Sequence, residues 1–272
     1  MRLTVRARAG LWAVGAAVLV FVYLPLGVVA LNWFNSDRTF GWPPPSLTTK
    51  WWQLAAQAQG PRDALGTSVK AGLGATALAL VLGTLLAFAL TPYTFFGRQA
   101  ISLLVVLPIA LPGIVTGVAL QSVIQNVLGP LFGIGAGLFT IIVGHATFCI
   151  VVVFNNVTAR LRRFGTSLEA ASADLGAHPS TAFPLVTFPL LRSALLAGAL
   201  LAFALSFDEI VVTTFTARPG SPTLPIWIFN NLFRPNQAPV VNVVAVVLVL
   251  VSIAPVWLAQ RLGGSSAAES RL

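Results

Sequence analysis

Residues 194–216 read ALLAGALLAFALSFDEIVVTTFT, a 23-residue run in which Asp208 and Glu209 are the only charged side chains. A helix needs about 20 mostly apolar residues to cross a bilayer, so this run is long enough to be a span. Comparable apolar stretches fall at 11–31, 69–91, 100–124, 136–159 and 239–259. The whole chain of 272 residues is 57% hydrophobic and only 8% charged. Soluble domains carry roughly 25% charged residues, which excludes an ordinary soluble globule. The fold class expected is an all-α membrane protein, one domain over 1–272 with six transmembrane helices.

The net charge of +9 does not point to nucleic acid, because the 16 Lys and Arg are spread between apolar runs rather than gathered on one face. With a cytoplasmic N-terminus, the inner side would hold Arg2, Arg6, Arg8, Arg98, Arg160, Arg162, Arg163, Arg192, Arg261 and Arg271. The outer side would hold Arg38, Lys50, Arg62, Lys70, Arg218 and Arg234. That asymmetry favours both termini inside. The first run is too long for the apolar core of a signal peptide, and Trp33 and Phe34 stand where a small-residue cleavage site would be needed, so it is read as a span. Cys149 is the only cysteine and lies inside an apolar run, where it reads as a small buried hydrophobe. His145 lies one helical turn before it. Two soft ligands without a third make a poor metal site, so no metal is expected and His145 reads as a helix-contact residue.

Proline and glycine interrupt the third run, in Pro108-Ile-Ala-Leu-Pro112-Gly113-Ile-Val-Thr-Gly117. Two prolines four apart favour a kink or break. Gly113 and Gly117 form a small-residue face for close helix approach. Between the first two runs, residues 32–68 carry Trp42 and the pair Trp51-Trp52, which read as an interfacial aromatic belt.

The acids of the opening run are costly at membrane depth, roughly 2.5–3.5 kcal/mol each on insertion scales. Asp208 falls about 5 Å beyond the middle of the run at the helical rise, toward the outside. On a continuous helix Asp208 shares a face with Val212 and Phe215, and Glu209 shares another with Thr213 and Thr216. A water-filled pathway that admits a cation answers the cost. Asp208, Glu209, Phe215 and Thr213 are therefore the substrate-pathway candidates, with Asp208 lining it and Glu209 bonding a neighbouring helix or subunit. The alternative is a pair satisfied by polar groups such as Gln121, Gln125, Asn126 and His145.

Residues 165–193 read GTSLEAASADLGAHPSTAFPLVTFPLLRS. Ser167 or Thr166 can cap a helix from Leu168 to about Leu175, Gly176 stops it, and Pro179 can open a second short helix. Leu168, Leu175, Phe183, Leu185, Val186 and Phe188 make this loop too apolar to be left in water, so a protein partner is expected. The loop resembles the signature of ABC importer permeases, in which Glu-Ala-Ala is followed by Gly, nine residues, an aliphatic, one residue, then Leu-Pro. Gly176, Val186 and Phe188-Pro189 hold that spacing. The usual Glu stands six residues before the Gly, whereas Glu169 stands seven before Gly176 with Ala170 in the expected slot. That shift turns the carboxylate by about 100° on a helix.

The runs LPIALPGIVTG, GHATFCIVVVFNN, LAFALSFDEIVVTTFTA, TLPIWIFN and NVVAVVLVLVS extend the resemblance over nearly the whole chain, to the second permease subunit of spermidine/putrescine-type importers. The resemblance implies a type I importer fold in a bacterial cell inner membrane. It implies three kinds of partner besides lipid: a homologous permease, two ATPase subunits holding ATP and Mg inside, and a solute-binding protein outside. Leu168, Glu169, Ala170, Ala171, Asp174, Gly176, Ala177 and Phe183 would form the loop that couples to the ATPase. No G-x-x-x-x-G-K-[ST] segment exists here and the only lysines are Lys50 and Lys70, so the chain itself has no such ATP cradle. Polyamine is the cargo implied, with another small organic cation or amino-acid-like solute as the alternative. An intramembrane enzyme would need more than His145 beside Ser122 or Ser206, and an ATP-independent carrier would show internal repeats.

Overall fold

The computed structural model describes residues 4–37, 43–165, 167–234 and 236–268. The expectations placed on Arg2, Arg38, Trp42, Thr166 and Arg271 lie outside them. The described residues are helical almost throughout: α1 (Val5–Asn32), α2 (Lys50–Gln57), α3 (Gln59–Leu90), α4 (Arg98–Ala110), α5 (Gly113–Val123), α6 (Gly129–Phe132), α7 (Leu138–Phe164), α8 (Ser167–Asp174), α9 (Pro179–Ala182), α10 (Phe188–Phe207), α11 (Val211–Thr216), α12 (Leu224–Asn231) and α13 (Ala238–Ala268). Among the described residues five helical stretches, where the sequence reading expects six spans, are long and apolar enough to cross a membrane: Arg6–Asn32, Gln59–Leu90, Gly113–Phe132, Leu138–Phe164 and Pro179–Phe207. Arg98–Ala110 is apolar but shorter, and α13 is apolar over Ala238–Ile253, the unbroken part whose side chains are described.

The chain divides into two compact units, one made of the residues up to Pro61 with Ile228–Leu250, the other of Arg62–Trp227 with the segment from Val251. In the first, Thr4 caps α1 through Ala7 N–H, and the apolar surface of α1 is exposed all round. Behind α1 the chain doubles back in a single bridge between Asn35 and Leu47. Trp51 departs from the belt expected of it. Its side chain is buried and its indole N–H donates to the Asn35 carbonyl at 2.8 Å, which satisfies the indole's only donor inside the fold. Trp52 packs edge-on against Trp33 at 5.2 Å.

The second unit is held by small residues. Ala71, Ala75 and Ala79 recur every four residues along α3 and are wholly buried, as are Cys149, Val153 and Val157 of α7 and Ala202 of α10. Lipid tails are as apolar as leucine, so helices in a membrane associate through close van der Waals packing, which small side chains permit. Cys149 sits in this seam and donates to the Ala202 carbonyl at 3.3 Å.

Two spans differ from their sequence reading. The third run is not one helix. It breaks at Leu111-Pro112, and α5 continues through a π-helical turn at Ile124–Leu128 into α6. The break is the one the two prolines predict. The fifth run ends as a regular helix at Phe207 and resumes at Val211, so the acidic pair lies in a gap rather than inside a helix. At its other end the same span begins at Pro179, because α9, a π-helical turn at Phe183–Thr187 and α10 form one 29-residue stretch. The second short helix expected after Gly176 is thus the start of this long one. Pro179 sits in the first turn of this stretch, where a missing N–H costs little, while Pro184 and Pro189 lie inside it, at the start of the π-helical turn and just after it.

Candidate functional site

The gap between α10 and α11 is where the chain's most unusual chemistry collects. Asp208 ends α10 with φ −96° and ψ 4°, and its carboxylate is exposed, with no side-chain hydrogen bond or ion pair among the described residues. It stands sixteen residues beyond Arg192 on the same helix, about 24 Å along the axis. Glu209 behaves differently. Its carboxylate accepts the Val212 N–H at 2.8 Å, satisfying one of the amides that the start of α11 leaves unpaired. The bond expected of Glu209 to another helix is thus made to the backbone of its own chain. Neither acid pairs with Gln121, Gln125 or Asn126; Asn126 donates instead to Ser122.

Thr213 is fully buried and Phe215 half-buried. The Thr213 hydroxyl donates to the Glu209 carbonyl at 2.9 Å, which commits its only proton. His145 Nε2 lies 2.7 Å from the same hydroxyl oxygen and is assigned from this geometry as the donor there. His145 Nδ1 is then an acceptor, and the Ser206 hydroxyl at 2.7 Å donates to it. A relay of hydroxyl, imidazole and hydroxyl thereby joins the last turn of α10, the middle of α7 and the first turn of α11. Irregular backbone at membrane depth is tolerated only where protein or water meets its polar groups, and this relay does so on the buried side. Both His145 nitrogens are used in it, which gives the buried histidine a structural occupation. His145→Ala removes two interhelical bonds and leaves a void. The unfolding midpoint of the purified chain should fall by the equivalent of about 2 kcal/mol or more, measured by thermal denaturation in detergent.

Glycines set the position of α11. Val211 and Phe215 pack onto Gly113 and Gly117 of α5, while Val212 and Thr216 pack onto Gly144 of α7. The Thr140 hydroxyl of α7 donates to the Thr216 carbonyl at 2.8 Å, closing the far end of the short helix. The Gly113/Gly117 face expected from the sequence is therefore a socket for α11.

The loop after α7 is built as its residues dictate. Gly176 takes φ +81°, the Ala177 N–H bonds the Ser172 carbonyl and the Gly176 N–H bonds the Ala173 carbonyl, a glycine stop in the left-handed conformation. Leu168, Ala170, Ala171, Asp174 and Leu175 are exposed, Leu175 at 90%. Ala177 is half-buried. The Phe183 ring lies 5.9 Å from Phe88 of α3 and 6.4 Å from Phe188, so it anchors the loop to the bundle while keeping an open edge. Glu169, displaced by one residue from the expected slot, accepts the Thr187 hydroxyl at 2.8 Å and ties α8 to the long helix. That tie was not legible in the sequence, since it joins residues eighteen apart through a π-helical turn.

No family model matches the chain. It is 32% identical over 244 residues to the spermidine/putrescine transport system permease protein PotC of Escherichia coli, covering 90% of both chains. The chain belongs to the spermidine/putrescine-type family of ABC importer permeases. Within that family it is also 31% identical to the putrescine transport system permease protein PotI of Escherichia coli, over 84% of this chain and 81% of the relative. Among solved structures, a bacterial ABC transporter involved in the import of the acidic polysaccharide alginate matches 96% of this chain and 99% of its own at 15% identity, with a TM-score of 0.71. The MetNI methionine ABC transporter matches 79% of this chain with a TM-score of 0.59. At such identities the structures attest the fold, which is that of ABC importer permeases.

Proposed function

We propose that this chain is one of two permease subunits of an ATP-driven polyamine importer and forms half of its translocation pathway. The observation that carries the proposal is the match to a spermidine/putrescine permease over nine-tenths of both chains. The unpaired carboxylate of Asp208 at a helix gap supports it, since putrescine and spermidine carry two or more ammonium groups. In this reading a homologous permease completes the pathway and an extracytoplasmic binding protein delivers cargo. A pair of ATPase subunits, which holds ATP and Mg itself, docks against the loop of Leu168, Glu169, Ala170, Ala171, Asp174, Gly176, Ala177 and Phe183. The chain itself binds no cofactor and hydrolyses nothing. It sits in the bacterial inner membrane with both termini in the cytoplasm, as the arginine asymmetry favours. Motion of the ATPase would reach the pathway as rigid-body rocking, because α9 and α10 join loop to gap in one stretch.

A second reading keeps the permease role and changes the cargo. A permease of Salmonella typhi named for 2-aminoethylphosphonate transport is 30% identical over 91% of both chains, and its solute carries a single ammonium group. Coexpression with the neighbouring permease, ATPase and binding protein in lipid nanodiscs separates the two. Stimulation of ATP hydrolysis and uptake by putrescine or spermidine is expected; stimulation by an aminophosphonate alone would transfer the role to that cargo. Gly176→Val tests the coupling loop in the same preparation. A β-branched residue at φ +81° costs about 1–2 kcal/mol, so α8 should lose its stop and stimulated ATPase activity should fall several-fold with the complex still inserted. Unchanged stimulation would remove the loop from the coupling path.

A further inference from the structure

We infer that the cleft between the start of α4 and the end of α7 is a binding site for the headgroup of an anionic phospholipid. The cleft has a volume of about 820 Å³ and is lined by Arg98 and Arg162 with Thr94, Gln99, Ser102 and the ring of Phe96. No carboxylate lines it. Arg98 donates once, to the Thr91 carbonyl at 3.4 Å, and Arg162 makes no hydrogen bond or ion pair among the described residues. Two guanidinium groups thus converge on one space with most of their donors unused. Their planar forks match phosphate oxygens, and basic pockets between transmembrane helices are where anionic headgroups bind.

The surroundings decide between a lipid and a soluble anion. Phe96 is fully exposed, Tyr93 largely so and Phe95 about half, the aromatic rim expected at the headgroup level. From the cleft, α4 leads away as thirteen mostly apolar residues, none of them buried, with Leu103, Leu104 and Ile109 open. A charged seat continuous with a bare apolar track fits an amphiphile, phosphate on the arginines and acyl chains along α4. The inference rests on the membrane reading and on nothing about the cargo. Arg162 also lies five residues before the start of α8, so occupancy would bear on the same end of the bundle as the loop.

The test is native mass spectrometry of the full-length chain in the complex it forms in the membrane, during stepwise exchange of phosphatidylglycerol for phosphatidylethanolamine. Retention of phosphatidylglycerol is expected, weakened roughly 30-fold in Arg98→Gln/Arg162→Gln, at about fivefold per arginine near a membrane surface. The Lys/Lys variant keeps the charge and should hold an intermediate amount, which separates loss of the site from loss of the fold. Equal retention of both lipids, or no difference between wild type and the Gln/Gln variant, overturns the inference. So does thermal protection of the wild type by inorganic phosphate but not by phosphatidylglycerol, which would make the cleft a soluble-anion site. Loss of ATPase copurification in the Gln/Gln variant with lipid retention unchanged would make it a protein-docking surface and overturn it equally.

Discussion

Asp208→Asn is expected to lower polyamine-stimulated ATPase activity and uptake by about 30-fold or more, with assembly and membrane insertion unchanged. The magnitude follows from where the carboxylate meets its cation. An ion pair left in water is worth at most about 1 kcal/mol, and losing it would cost no more than about fivefold. A pair closed off from water loses about 2–5 kcal/mol when one partner is removed, so losses begin near 30-fold. Asp208 is open on this chain and unpaired, at the gap in a run that is otherwise apolar. A second permease closing over that face would exclude water from around the pair. Asparagine adopts the φ and ψ of this position readily, so α10 should still end where it does. Glu209→Gln is the matched control, because an amide oxygen can still accept the Val212 N–H at the same place. A loss within a few-fold for Asp208→Asn, with Glu209→Gln equal to it, would mean that the cargo's charge is met elsewhere.

How far the sequence could foresee this site depends on what makes each part. The break at Leu111-Pro112 and the stop at Gly176 were legible because each has a local cause, in proline or in a positive φ. The gap at Asp208 was not. No proline or glycine marks it, and the apolar run continues on both sides at a spacing that suits an unbroken helix. What ends α10 is partly tertiary: Glu209 caps α11 locally, three residues on, and His145 reaches across from α7 to meet a hydroxyl on each side of the gap. The Ile210-Val-Val-Thr-Thr stretch then has weak helix preference and depends on its socket. Reading the run as one helix gave Asp208 and Glu209 different faces for the wrong reason. The structure separates them because one carboxylate is used by the backbone and the other is not. Trp51 differs from its reading on the same ground, since a tryptophan beside a span is usually at the interface and this one meets the Asn35 carbonyl inside the fold.

If the gap is held by packing on glycine, filling the socket should move it. A Cβ placed on Gly117 collides with Phe215 Cδ2, with two further ring atoms at 3.1 Å. At Gly144 the nearest atom is Val212 Cγ1 at 3.1 Å, and at Gly113 it is Val211 Cγ1 at 3.3 Å. Alanine substitutions should therefore rank Gly117 well above Gly144 and Gly144 above Gly113 in lost stability, Gly117→Ala costing about 1–3 kcal/mol by overpacking. Thermal unfolding of the purified chain reads the ranking. Transport should suffer more than stability, because Phe215 carries α11, α11 carries the amide that Glu209 caps, and Asp208 precedes Glu209 directly. Phe215→Ala opens the space that the added methyl needs. The double variant should recover at least about 1 kcal/mol relative to the sum of the single losses, and part of the uptake with it. Strict additivity would show that the ring swings clear of Gly117 without disturbing α11, and the position of the acidic gap would then have to come from the His145 relay alone.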